Sequence, residues 1–192
     1  MIRKMIGVLA GIAIAFTAGC GSGELEFEPN VLTDRDMCVV KTEDAKSRIC
    51  YGTSREEAEK TAGEAQETYD TSSGYADGLA LFYREDRVVG IDLREESIGV
   101  YQTARGAKVG MSRDELIGLY GDQYLKVPNQ DQLAVNYYYD TENKKLLTDV
   151  VEALQNDRDE AGKVRIVSSM LEKDGSSKQI GIIDQKMAIY LE

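Results

Sequence analysis

Gly52-Thr53-Ser54-Arg55-Glu56-Glu57 returns as Gly110-Met111-Ser112-Arg113-Asp114-Glu115, 58 residues further along the chain. The reading of this block decides the fold. A serine that accepts a backbone N–H, with a glutamate three residues later reaching back to it, is a capping box, so Ser54 and Ser112 mark helix starts. Each helical stretch is ended by a glycine, Gly63 and Gly121. Met111 can pack on Leu116 as a hydrophobic staple, and Thr53 with Ala58 makes a weaker version. Downstream, Leu79-Ala80-Leu81-Phe82-Tyr83 is echoed by Leu133-Ala134-Val135-Asn136-Tyr137, an offset of 54. Two landmarks in one order at nearly one spacing predict an internal duplication. We place repeat 1 at 36–104 and repeat 2 at 105–192.

Around this block the chain has ordinary globular proportions. Its 192 residues are 42% hydrophobic and 30% charged, enough for a packed core of one large domain or two small ones. Two prolines, Pro29 and Pro128, leave little room for a rigid linker. The net charge is -11, and a chain without Arg3 and Lys4 stands at -13. Such a chain is repelled by nucleic acid phosphates and by anionic lipid surfaces, so no nucleic acid partner is expected. There is no histidine, the commonest acid/base residue and transition-metal ligand.

The N-terminus reads as an export signal over 1–19. Arg3 and Lys4 form a charged start, and the apolar run Met5–Phe16 is too short to span a bilayer. The alternative is a buried apolar strand or helix. Thr17-Ala18-Gly19-Cys20 resembles the lipobox of bacterial lipoproteins: Ala18, Gly19 and Cys20 match, while Thr17 stands where the family has an aliphatic residue. The resemblance implies cleavage before Cys20, a diacylglycerol on its sulfur and membrane anchoring through that lipid. Each buried methylene of such a tail contributes about 0.8 kcal/mol. Residues 20–35 follow as a flexible tether. With Cys20 acylated, Cys38 and Cys50 remain as an even pair. Outside the cell a disulfide is their natural fate, two separate thiols are the alternative, and a metal site lacks histidine partners.

Between the landmarks, Cys38-Val39-Val40 and Arg48-Ile49-Cys50 predict strands around the polar turn Lys41–Ser47. Arg55–Ala62 predicts the first helix and Thr71–Gly78 a loop. Leu79–Tyr83, Val88–Leu93 and Ile98–Thr103 predict an antiparallel meander. After Tyr137-Tyr138-Tyr139 an insertion at 143–163 interrupts the second copy. Its Leu146, Leu147, Val150, Val151 and Leu154 are spaced as an amphipathic helix. Val164–Leu171, Gln179–Ile183 and Met187–Leu191 predict three closing strands, with a turn at Asp174-Gly175. The class is α+β: two tandem repeats of a short helix packed on an antiparallel β-sheet, after a cleaved lipoprotein signal peptide.

A helix opened by Gly-x-Ser-x-x-Glu and closed by Gly, then an antiparallel sheet, in tandem, resembles the β-lactamase inhibitor protein fold. Thr103-x-Arg105-Gly106-x-x-x-Gly110-Met111-Ser112 with Tyr120-Gly121 also resembles a repeat of uncharacterised lipoproteins of Gram-positive bacteria. Small outer-membrane assembly lipoproteins of Gram-negative bacteria use a single related unit. The likeness covers residues 36–192, and the insertion departs from it. It implies fold and compartment; relatives use the scaffold for different protein contacts, so it names no partner.

No catalytic constellation is expected. No histidine partners a serine or cysteine, and there is no phosphate-binding glycine loop or EF-hand spacing. Ser54 and Ser112 are caps before they are nucleophiles. Asp92, Glu95 and Glu96 could take a hard cation, yet an acid-rich surface mainly confers solubility. Cofactor and metal are therefore expected to be none. Among 11 tyrosines, Tyr137 and Tyr139 share one face of a strand and Tyr138 takes the other. Tyr137, Tyr139 and Tyr83 are the candidate protein contacts, against the alternative of plain core packing. Two functions compete. One is a non-enzymatic, membrane-anchored module that binds an envelope or secreted protein. The other is an extracytoplasmic enzyme using carboxylates alone, such as a glycan hydrolase.

Overall fold

The structure is a computed structural model that describes residues 27–127, 133–154 and 157–190. Residues 1–19, where an export signal is expected, and Cys20 lie outside the described residues. The fold is α+β, with two antiparallel sheets and few short helices.

The chain enters through a 3-10 turn at Asp34–Asp36 into the hairpin β1 (Cys38–Lys41) and β2 (Asp44–Cys50). Cys38 stands opposite Cys50 in the register, and the two are joined as a disulfide. Helix α1 (Arg55–Ala62) starts where expected: Ser54 Oγ accepts from Glu57 N at 3.3 Å. Short strands β3 (Glu67–Thr68) and β4 (Ser72–Gly74) precede the hairpin of β5 (Leu79–Arg84) and β6 (Arg87–Leu93). Strand β7 (Tyr101–Thr103) returns to pair with β1. Helix α2 (Arg113–Tyr120) has the full capping box, Ser112 N donating to Glu115 Oε2 at 2.8 Å. Then come β8 (Ala134–Asp140), β9 (Lys145–Leu147), α3 (Val150–Leu154), β10 (Val164–Leu171), β11 (Ser177–Asp184) and α4 (Gln185–Tyr190).

The large sheet has the order β3-β4-β5-β6-β11-β10-β8-β9, and β2-β1-β7 is a small second sheet. Both helix starts meet a hairpin through the same three backbone bonds. Gly52 N and Gly110 N donate to Val88 O and Ser177 O, each at 2.7 Å. Val88 N and Ser177 N return bonds to Thr53 O and Met111 O, and Arg55 N and Arg113 N donate to Asp86 O and Gly175 O. The hairpins carry a bulge at matching places, Phe82/Tyr83 and Met170/Leu171. They meet at the middle of the sheet, where Ile182 pairs with Ile91 and Ile180 with Leu93.

One apolar core lies between the large sheet and the layer of α1, α2 and the small sheet. Leu81, Ile91, Ile180, Ile182, Val167 and Val135 come from the large sheet; Ala58, Leu116, Tyr120, Val39 and Ile49 face them. The core crosses the 104/105 division, so the two halves share one interior.

Several expectations are corrected. The echo of Leu79–Tyr83 by Leu133–Tyr137 does not mark equivalent places. Tyr137 stands opposite Val167 of the β10–β11 hairpin, as Tyr75, whose N–H donates to Leu79 O, stands beside the β5–β6 hairpin. Of the strand expected at Ile98–Thr103 only Tyr101–Thr103 forms; Ile98–Val100 is a turn after the 3-10 turn Glu95–Ser97, with Gly99 at φ +83°. The helix expected through the insertion splits into β9 and α3, because Asp149 Oδ1 accepts from Val151 N and Glu152 N and starts the helix there. The last expected strand is α4, whose first turn is capped by Asp184 accepting from Met187 N at 2.6 Å. Part of the expected Thr71–Gly78 loop is β4. The expected tether over 20–35 also ends early, since Leu32 is buried in the core.

Candidate interaction face

Alternation along the strands sorts the aromatic run. Tyr83, Tyr137 and Tyr139 point into the core and are only 2%, 2% and 4% exposed. Tyr83 shares a 2.7 Å hydrogen bond with Tyr75, and Tyr137 donates to Gly121 O at 2.6 Å. Burial, more than any neighbour, pushes both hydroxyls far above the ordinary tyrosine range. The three proposed contacts are therefore core residues: Val135, Tyr137 and Tyr139 share the face of β8 that the helix layer covers. Tyr138, between them, faces the outer side of the sheet.

That outer side is built by register. One band across it is Gly74, Ala80, Asp92, Gly181, Ser168 and Asn136. The next is Phe82, Gly90, Ile183, Ile166 and Tyr138. The first band is small or polar. Gly90 keeps the second close-packed, because a Cβ there would meet the Phe82 ring at 3.0 Å and push it aside. Near β8 and β9 the face is closed by a second apolar cluster, in which Leu125, Leu147, Ala153 and Val164 are buried and Tyr138 packs against them. Gln185 Nε2 of α4 donates to Ala153 O at 2.5 Å and ties α4 to α3. Over β4, β5, β6, β11 and the far end of β10 exposure is uneven: Ala80, Gly90 and Asp92 are buried, and the accessible residues lie around them. Met170 is 43% exposed there, and Phe82, Gly181, Gln179, Ser168 and Asn136 are half-buried.

Polar groups on the open area are paired with one another. Ser168 Oγ donates to Asn136 Oδ1 at 2.6 Å. Asp92 accepts from Gln179 Nε2 at 2.7 Å and from Arg94 Nε at 3.2 Å. Glu95 and Glu96 are exposed on the turn that follows. Among the described residues no group of three histidine, cysteine or acidic side chains could hold a metal ion.

A polar cleft of about 210 Å³ lies at the ends of β8 and β9. It is lined by Asp140, Glu142, Lys145, Glu152, Glu160 and Lys163, among others. Lys145 Nζ reaches Glu152 at 2.5 Å, and Lys163 Nζ reaches Glu142 at 3.1 Å and Glu160 at 3.0 Å. Burial pushes the Asp140 carboxyl up, but hydrogen bonds from Asn143 and the Glu142 backbone outweigh it and hold it below the carboxylate range. A glycosidase needs one carboxyl kept protonated near neutrality. Asp140 is held ionised instead. Ser54 and Ser112 are bound to their capping glutamates, with Ser112 Oγ donating to Glu115 Oε2 at 2.7 Å.

Residue reasoning missed the outer-face residues Phe82, Met170, Ser168 and Asn136. The signal was present in part: Leu79, Leu81 and Tyr83 form a set of large side chains only, whereas Ala80, Phe82 and Arg84 mix small, aromatic and charged ones. A comparison with protein-family models, characterised proteins and solved structures finds no match. Among the described residues no helix is long and apolar enough to cross a membrane.

Proposed function

We propose that this chain is a membrane-anchored, extracytoplasmic lipoprotein that acts as a non-enzymatic protein-binding module in the cell envelope, attached through a lipid on Cys20. The open outer face of the large sheet carries the reading. It is a face of an eight-stranded sheet floored by small and polar residues, which suits a protein surface better than a small molecule needing enclosure. The Cys38–Cys50 disulfide supports an oxidising compartment. The three matched hydrogen bonds and the matched bulges support construction from two tandem repeats.

The test is site-specific photo-crosslinking in intact cells. A photoreactive residue at Met170 or Ser168 yields a discrete adduct with an envelope protein. The same group at Tyr69, exposed on the β3–β4 turn, yields none. Adducts from Tyr69 alone, or from no position, would remove the sheet face as the binding surface.

A further inference from the structure

Arg105 belongs to the Thr103-x-Arg105-Gly106 motif and has no part in the open face. Its side chain is 2% exposed and that of Asp36 is fully buried. Its guanidinium donates from Nε to Asp36 Oδ1 at 2.7 Å, from Nη1 to Glu28 O at 2.9 Å and Leu119 O at 3.0 Å, and from Nη2 to Val31 O at 2.6 Å. It lies 5.0 Å from the ring centre of Phe27 and 4.9 Å from that of Tyr120. One buried cation thus gathers the entering segment onto the end of α2.

A second contact reinforces it. Asn30 N donates to Tyr120 O at 2.8 Å, and Asn30 Oδ1 accepts from Gln123 N at 2.9 Å. A Cβ on Gly121 would lie 2.1 Å from Asn30 Oδ1, whereas a Cβ on Gly63, the matching glycine after α1, would meet nothing within 4 Å. The entering segment therefore docks on the second helix end only.

We propose that residues 27–36 are a strap locked by Arg105, which makes the anchored end of the chain a fixed extension of the folded body. The membrane half of this statement rests on the Cys20 reading. From Cys20 to Phe27 there are seven residue steps, which span at most ~25 Å. From Cys20 to Asp36 an unlocked segment would span ~55 Å at full stretch. The locked strap holds the module close to the bilayer, so the partner it meets is a protein lying at the membrane surface.

Hydrogen exchange on the purified full chain in detergent reads the lock. In the native protein the Asn30 and Val31 amides exchange as slowly as those of the β10–β11 core. In Arg105→Gln they exchange at least ~100-fold faster while Ile180 and Ile182 keep their protection. If Arg105→Gln loses protection everywhere, Asn30→Gly decides. Its φ of +65° suits glycine, so only the side-chain bonds are lost, and Val31 should exchange at least ~10-fold faster. Fast strap exchange in the native chain, or no change in Asn30→Gly, overturns the lock. For the membrane half, energy transfer from a dye at position 170 to headgroup acceptors in phosphatidylcholine vesicles gives a closest approach that lengthens in Arg105→Gln, which removes the lock. An unchanged approach overturns it. Absence of lipid on Cys20, seen in the intact mass, sinks the anchoring reading and leaves the exchange result standing.

Discussion

Tyr137 donates to Gly121 O inside the core and packs 5.2 Å from the ring of Tyr120, while Tyr138, one residue on, faces the other side of the same strand. The two therefore differ in what their removal does. Tyr137→Ala should destabilise the protein by about 3–5 kcal/mol, and Tyr137→Phe, which removes one hydrogen bond, by about 1 kcal/mol. Urea unfolding midpoints check both; values near zero would contradict the burial. A second expectation concerns alkaline pH. Burial, then the bond to Asp184, pushes Tyr51 up to about 12, and Tyr83, Tyr120 and Tyr137 are pushed higher still by burial. Unfolded tyrosine ionises near 10. A folded pKa above the unfolded one contributes stability that is complete below pH ~10 and is lost as pH rises through the folded value. Tyrosinate absorbance should accordingly show the buried set ionising in a cooperative step that coincides with loss of the fold.

At the scale of elements, the two helix starts are alike in plan and unequal in detail. Ser112 has both halves of its capping box, whereas Ser54 accepts from Glu57 N without a bond back from the Glu57 carboxylate to the cap backbone. Ser112→Ala should cost about 1–2 kcal/mol and Ser54→Ala about 0.5–1 kcal/mol. Thermal midpoints of the two variants rank them, and an inverted order would show that the reciprocal bond adds nothing. Both helices were legible because a cap is a local event, settled within four residues. The β1–β2 hairpin and its disulfide were legible for the same reason, with the cysteines flanking a short polar turn. Strand β7 was not. The stretch around Ile98–Thr103 has ordinary strand composition, and only Gly99 and the pairing with β1 take it out of the large sheet. Helix α4 was misread because its cap, Asp184, closes a strand and opens a helix at once. The open face was misassigned because alternation tells which residues share a side and leaves open which side the helices cover.

At the scale of the molecule, the two halves depend on each other through buried charge in both directions. Arg105, in the second half, is paired with Asp36 of the first at 2.7 Å. Arg84, in the first half, is paired with Asp184 of the second, which also accepts from Tyr51 OH at 2.6 Å. Between them β6 and β11 form the middle of the sheet, and each would become an exposed edge if the halves were parted. Burying a charge without its partner typically costs about 3–5 kcal/mol, a large share of the 5–15 kcal/mol that holds a domain together. Residues 27–104 alone would leave Arg84 and the apolar edge of β6 exposed. Residues 105–192 alone would leave Arg105 unpaired among Tyr120 and the Leu119 carbonyl. We therefore expect neither piece to unfold cooperatively when made separately, although each holds a capped helix and a hairpin. Mixed in equal amounts they should recover a single transition, because the core and both ion pairs are then complete. Calorimetry of the two pieces and of the mixture checks this. A sharp unfolding transition in either piece alone would mean that the repeat is an independent folding unit and that the shared core is secondary.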